Sequence, residues 1–172
     1  MKILASQTDR RQIKESFRKS FFNRKKEIVR IEERHIPCYL FELLFKSSRR
    51  ERRIHVVCDA LRGKVRRVDW PQAFVPELEL SDGAALDEAQ ALKRVGEEFR
   101  WFSFSSGLRV RRKYHLEEVL SRGKLAYPFW VIYYRKKERY NFSVFDAISG
   151  KREDFFTREI FLDLFGLKRR VT

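Results

Sequence analysis

"DALRGK" at Asp59–Lys64 and "DAISGK" at Asp146–Lys151 share one pattern, D-A-x-x-G-K. In both, the aspartate ends an apolar run, so its carboxylate is placed to accept backbone N–H groups two residues on. The glycine supplies the positive φ of a tight turn. The lysine then starts a new extended stretch. A catalytic Asp–Lys pair would use the same residue types, but an active site is rarely written twice in one small chain. The pattern is therefore read as a hairpin turn present in two copies.

Outward from each turn the surroundings also match. Before the first stand the returning strand "IHVVCDA", the charged hairpin loop "SSRRERR" and the dense apolar strand "IPCYLFELLFK". The alternating edge strand "EIVRIEERHI" precedes them. Ile13, Phe17 and Phe21 give the apolar stripe of an amphipathic helix, with Thr8 as its cap. Before the second turn stand "YNFSVFDA", the basic hairpin "RKKER", the strand "LAYPFWVIYY" and the edge strand "LRVRRKYHLEEV". Leu86, Ala89, Leu92, Val95 and Phe99 form the second helix, with Ser81 or Asp82 as its cap. Pro37 answers Pro128, Asp59 answers Asp146 and Gly63 answers Gly150. The length difference falls in the second hairpin, as expected of a repeat. "VRRVDW" and "REDFF" lead out of the turns, and Thr157 opens a last helix carrying Ile160, Phe161, Leu164 and Phe165. The expected fold is α+β: two tandem repeats of helix plus antiparallel sheet, followed by a C-terminal helix. The first repeat spans 1–72, a Pro- and Gly-marked connector spans 73–84, and the second repeat spans 85–172.

The strand "YPFWVIYY" followed by "FDAISGK" resembles PepSY-like modules and a group of related bacterial proteins. The first copy resembles them less closely, with Leu61 and Arg62 where the second has Ile148 and Ser149. The resemblance implies a helix packed on a small antiparallel sheet. It also implies an interaction or inhibitor-type module, which in a chain this basic would act on an acidic protein partner.

The net charge of +15 favours polyanionic partners, nucleic acid foremost. The basic residues are grouped. Arg49, Arg50, Arg52 and Arg53 mark one hairpin tip, and Arg135, Lys136, Lys137 and Arg139 mark its equivalent. Arg109, Arg111 and Lys113 line an edge strand. These are the candidate nucleic-acid-binding residues, with the two tips straddling a phosphate backbone. Tyr127, Trp130, Tyr133, Tyr134 and Tyr140 are candidate stacking rings, although a ring such as Trp130, in a strand facing a helix, is core first.

Catalysis finds little support. No nucleophile elbow, phosphate loop, dinucleotide fingerprint or metalloprotease helix is present, and the expectation is a non-enzymatic protein without a cofactor. His35 with Cys38 and His55 with Cys58 have the composition of a zinc set. Both pairs fall in strands, where residues three apart point to opposite faces, so no metal is expected. No apolar run reaches the ~18 residues of a membrane span. "MKILASQTDRRQ" has too short an apolar region for a signal peptide, which makes cytoplasm the expected location.

Overall fold

The structure, a computed structural model, describes residues 2–19, 26–47, 50–68, 74–75, 85–109 and 115–164. It is mixed α and β. The strands are β1 (Lys2–Leu4), β2 (Glu27–Ser47), β3 (Arg50–Asp59), β4 (Val65–Val68), β5 (Phe74–Val75), β6 (His115–Lys136) and β7 (Arg139–Asp146). The helices are α1 (Arg10–Lys19), α2 (Glu88–Arg109) and α3 (Phe155–Leu164).

In the first half the expected edge strand and proline-containing strand are one continuous strand, β2; in the second half only His115–Val119 of the expected edge strand joins β6, since Leu108 and Arg109 end α2 and 110–114 lie outside the described residues. The carbonyl of each proline accepts from the alanine that follows the turn aspartate: Ala60 N–H donates to Pro37 O at 2.8 Å and Ala147 N–H to Pro128 O at 3.3 Å.

The chain forms two compact units, each built from two segments. One comprises Met1–Leu4 with Ile36–Tyr127, the other Ala5–His35 with Pro128–Thr172. These limits differ from the expected 1–72 and 85–172, because each long strand carries the chain out of one unit and into the other. In the first unit the hydrogen-bonded strand order is β4-β3-β2-β6-β1-β5. β1 runs parallel to β6, through Lys2 with Leu125 and Ile3 with Ala126, where only antiparallel pairing was expected. In the second unit β7 pairs antiparallel with β6 from Phe129 opposite Asp146 to Lys136 opposite Arg139.

Strand alternation decides each core. Tyr39, Phe41, Leu43 and Phe45 of β2, with Val56 and Cys58 of β3, face Ala91, Val95 and Phe99 of α2. Ile132 and Tyr134 of β6, with Phe145 of β7, face Ile13 and Phe17 of α1. The Phe17 ring lies 5.2 Å from Tyr134 and 6.4 Å from Phe145. Phe161 of α3 meets Phe129 edge-on at 5.6 Å. Each buried ring of this kind contributes about 1.5–3 kcal/mol through loss of water contact. Thus α1 packs on the β6–β7 hairpin and α2 on the β2–β3 hairpin. The strand that follows each helix also contributes, Ile31 of β2 to the α1 cluster and Leu116 and Val119 of β6 to the α2 cluster.

The turns explain how each helix is received. Asp59 Oδ1 accepts from Leu61 N–H at 3.1 Å and Arg62 N–H at 2.7 Å, and Asp146 Oδ1 accepts from Ile148 N–H at 2.9 Å and Ser149 N–H at 2.8 Å. Gly63 and Gly150 have φ of 74° and 68°. The alanine after each aspartate then turns its carbonyl outward. Ala60 O accepts from Ala85 N–H and Leu86 N–H, both at 2.8 Å, and Ala147 O accepts from Gln7 N–H and Thr8 N–H, both at 3.0 Å. The aromatic two residues after each proline binds the same lead-in segment. Tyr39 O–H donates to Leu86 O at 3.2 Å, and Trp130 Nε1–H donates to Thr8 O at 3.0 Å.

Thr8 is therefore part of the dock and not the cap. Asp9 caps α1, its Oδ1 accepting from Gln12 N–H at 2.8 Å while Gln12 Oε1 accepts from Asp9 N–H at 2.9 Å. Asp87 and Gln90 make the same reciprocal box at α2, at 2.7 and 3.0 Å; Ser81 and Asp82 lie outside the described residues. Asp154, rather than Thr157, caps α3, accepting from Thr157 N–H at 3.0 Å. "REDFF" provides a single bridge, Phe145 with Arg152, before α3 begins. Phe21 and Phe165 also lie outside the described residues.

A Cβ on Gly63 would stand 3.0 Å from Leu86 Cδ1, in addition to the unfavourable φ. Gly63→Val is expected to lower stability by about 1–3 kcal/mol. Gly96, inside α2, has open space around its Cα, and Gly96→Ala is expected to raise stability by about 0.4–1 kcal/mol. Urea denaturation of both variants beside the wild type checks the pair. Equal effects of one sign would contradict the assigned backbone.

Candidate nucleic-acid interface

The β6–β7 hairpin is closed by Lys137 and Glu138, with Lys136 directly opposite Arg139. Lys137 has a φ of 55°, the only positive value among the described non-glycine residues. The connection is thus a tight two-residue turn rather than an open loop. Alternation places Arg135 and Tyr140, which are Cα partners, on one face of the hairpin and Lys136 and Arg139 on the other.

On the first face Glu27 of β2 holds Arg135, accepting from Nε at 3.0 Å and from NH2 at 2.6 Å. That bond keeps the guanidinium more firmly protonated than usual. Glu27, Arg135, Lys137, Glu138 and Tyr140 line an open pocket. Tyr140 is 72% exposed, while Tyr39, Tyr127 and Tyr134 are buried. On the other face Lys136 and Arg139 are exposed. Neither they nor Lys137 makes an ion pair among the described residues.

The β2–β3 tip is arranged differently from the expected charged loop. Arg50, Arg52 and Arg53 belong to β3 and pair with Ser47, Phe45 and Leu44. Arg50 and Arg52 share a face, and Arg53 lies on the opposite one. Arg49 is outside the described residues. Arg109 closes α2 instead of lining an edge strand, because the helix runs through "SGLR". Arg111 and Lys113 are outside the described residues. Of the candidate rings, Trp130 is a helix-docking residue, Tyr127 and Tyr134 are core, and Tyr133 is half-buried.

Two carboxylate clusters carry much of the remaining charge. Glu42, buried in the apolar run "YLFELLF", meets Arg122 Nε at 3.0 Å, Arg53 NH1 at 3.2 Å and His55 Nε2 at 3.6 Å. The Arg122 hydrogen bonds hold its carboxyl below the ordinary glutamate value, against the opposing effect of burial. A lone carboxylate inside such a run was the signal available in the sequence; its partners come from two other strands. Glu32 accepts from Arg34 Nε at 2.7 Å and Tyr133 O–H at 2.8 Å, and also binds Arg30. Burial pushes the Tyr133 hydroxyl up to about 12, and its bond to Glu32 adds to the shift. Glu32 itself is lowered, the hydrogen bonds from Arg34 and Tyr133 outweighing its burial.

The cysteines do not converge. Cys38 lies opposite Asp59 and Cys58 opposite Tyr39, so their side chains leave opposite faces of the sheet. Both thiols are buried. Burial raises Cys58 to about 12 and Cys38 well above its ordinary value. Among the described residues no group of three His, Cys, Asp or Glu side chains is arranged to hold a metal ion, and no helix is long and apolar enough to cross a membrane.

No protein-family model matches this chain, and neither a curated protein nor a solved structure does.

Two outcomes test these clusters. Glu42 has a lowered folded-state pKa, so its stabilisation is present above the unfolded value, near 4.5, and is lost as pH falls through the folded value. The melting-temperature gap between wild type and Glu42→Gln should therefore narrow in acid, and a gap unchanged from pH 7 to pH 3 would contradict the lowering. Native Cys38 and Cys58 should resist a thiol reagent at pH 8 and react promptly once unfolded; fast labelling of the folded protein would contradict their burial.

Proposed function

We propose that this chain is a non-enzymatic nucleic-acid-binding protein whose β6–β7 hairpin tip neutralises backbone phosphates. The supporting observation is the exposed set Lys136, Lys137 and Arg139, without ion pairs among the described residues, on a chain of net charge +15. Other exposed cations, such as Arg53 and Arg135, are engaged with glutamates. Phosphate contacts of this kind bind without reading sequence. Arg50 and Arg52 are assigned a secondary contribution.

A second reading draws on the two turn–helix docks. Their matching hydrogen bonds support an internal duplication of a helix-on-sheet unit, as the PepSY-like resemblance implies. In that reading the basic surface meets an acidic protein.

Binding to labelled oligonucleotides, measured at two salt concentrations, separates the readings. Affinity should fall with salt at a log–log slope of about −0.9 per duplex phosphate contacted. Reversing Lys136, Lys137 and Arg139 to Glu should weaken binding at least about tenfold for every sequence alike and flatten that slope. The melting temperature should hardly change, since all three side chains are exposed. Absence of binding at low salt would remove nucleic acid and leave the acidic protein partner.

A further inference from the structure

Resting on the phosphate-binding reading, we infer that the β6–β7 tip takes single-stranded nucleic acid, with Tyr140 as the platform on which one base stacks. Three observations meet there. Tyr140 is exposed at 72% on a strand whose other rings, Phe142 and Phe145, are buried, so folding gains little from an aromatic at this position. Its cross-strand neighbour Arg135 is fixed by two hydrogen bonds to Glu27, which sets a guanidinium beside the ring before any ligand arrives. The tight turn at Lys137 holds both strands in register, so little conformational freedom is lost on binding.

The division of the two faces determines the kind of nucleic acid. The pocket beside Tyr140 is lined by two carboxylates, Glu27 and Glu138, and two cations, Arg135 and Lys137, so its charges balance, it offers a phosphate no net attraction, and its carboxylates can accept from a base N–H. Lys136 and Arg139, which make no ion pair among the described residues, lie on the opposite face. A ligand using both must present a base to one side of the hairpin and phosphates to the other. A single strand does this by turning a base out; a duplex keeps its bases stacked and offers phosphates alone. Stacking on an exposed ring is tolerant of base identity because every base has a π-face.

The test compares a labelled oligothymidine strand with a duplex carrying the same number of phosphates. The proteins are wild type, Tyr140→Ala, Tyr140→Trp and the Lys136, Lys137, Arg139 triple reversal. Tyr140→Ala is expected to weaken single-strand binding about tenfold and leave duplex binding unchanged, while Tyr140→Trp retains the single-strand affinity. Melting curves should coincide for wild type and both Tyr140 variants. If Tyr140→Ala changes neither affinity while the triple reversal abolishes both, stacking is overturned and the phosphate reading stands. Equal losses on both ligands also overturn stacking. If wild type binds neither at low salt, both readings fall together.

Discussion

The alanine carbonyl in each D-A-x-x-G-K turn is the contact on which the rest of the architecture depends. Each of these oxygens accepts from two consecutive amides just before a helix, and Ala147 O accepts from the Thr8 hydroxyl as well. That fixes where the helix begins, and the capping box one residue later fixes its direction. The side chains follow: with Asp9 anchored, Ile13 and Phe17 fall on the β6–β7 hairpin, and with Asp87 anchored, Ala91 and Val95 fall on the β2–β3 hairpin. The glycine fits this scheme twice over, once through its φ and once through the space that the approaching segment occupies.

A chain this basic must also keep its cations from destabilising the fold. The structure gathers several around single acidic centres. Glu42 collects Arg122, Arg53 and His55, and Glu32 collects Arg30, Arg34 and Tyr133. A buried carboxylate alone would be costly, and one surrounded by donors is tolerated. At the β6–β7 tip Lys136, Lys137 and Arg139 are exposed and make no ion pair among the described residues.

Much of the local structure was legible in the sequence because it follows from residue chemistry. Asp59 and Asp146 announce their turns, glycine marks the positive φ, and the helical stripes appear at their proper spacing. Three things were not legible, each for a physical reason. The pairing of helix with hairpin was hidden because α1 and α2 have equivalent stripes and the hairpins equivalent faces, so local pattern fits either assignment. The continuity of β2 and β6 was hidden because the apolar density of "IPCYLFELLFK" and "LAYPFWVIYY" sets them apart from the charged, alternating stretches before them. β1 and β5 are too short to show a period. At the candidate interface the clusters of basic residues were visible, but not which cations glutamates occupy. Arg135 is taken by Glu27, 108 residues away in sequence, and Arg53 by Glu42 across the β2–β3 hairpin. The extension of the strands into both tips, with the alternation that isolates Tyr140 from Lys136 and Arg139, required the register.

The two-segment build of each unit has a consequence for biosynthesis. Thr8 and the carbonyl that receives it, on Ala147, are 139 residues apart. A ribosome adding about 5–20 residues each second completes α1 on the order of ten seconds before its dock emerges. Throughout that interval Ile13 and Phe17 have no β6–β7 hairpin to pack on, and a segment as short as α1 is only marginally helical by itself. The nascent chain thus carries this apolar stripe, flanked by arginine and lysine, until the β6–β7 hairpin has been made. Those charges, on the helix's outer face in the finished protein, keep the waiting stripe from self-association while the chain is made.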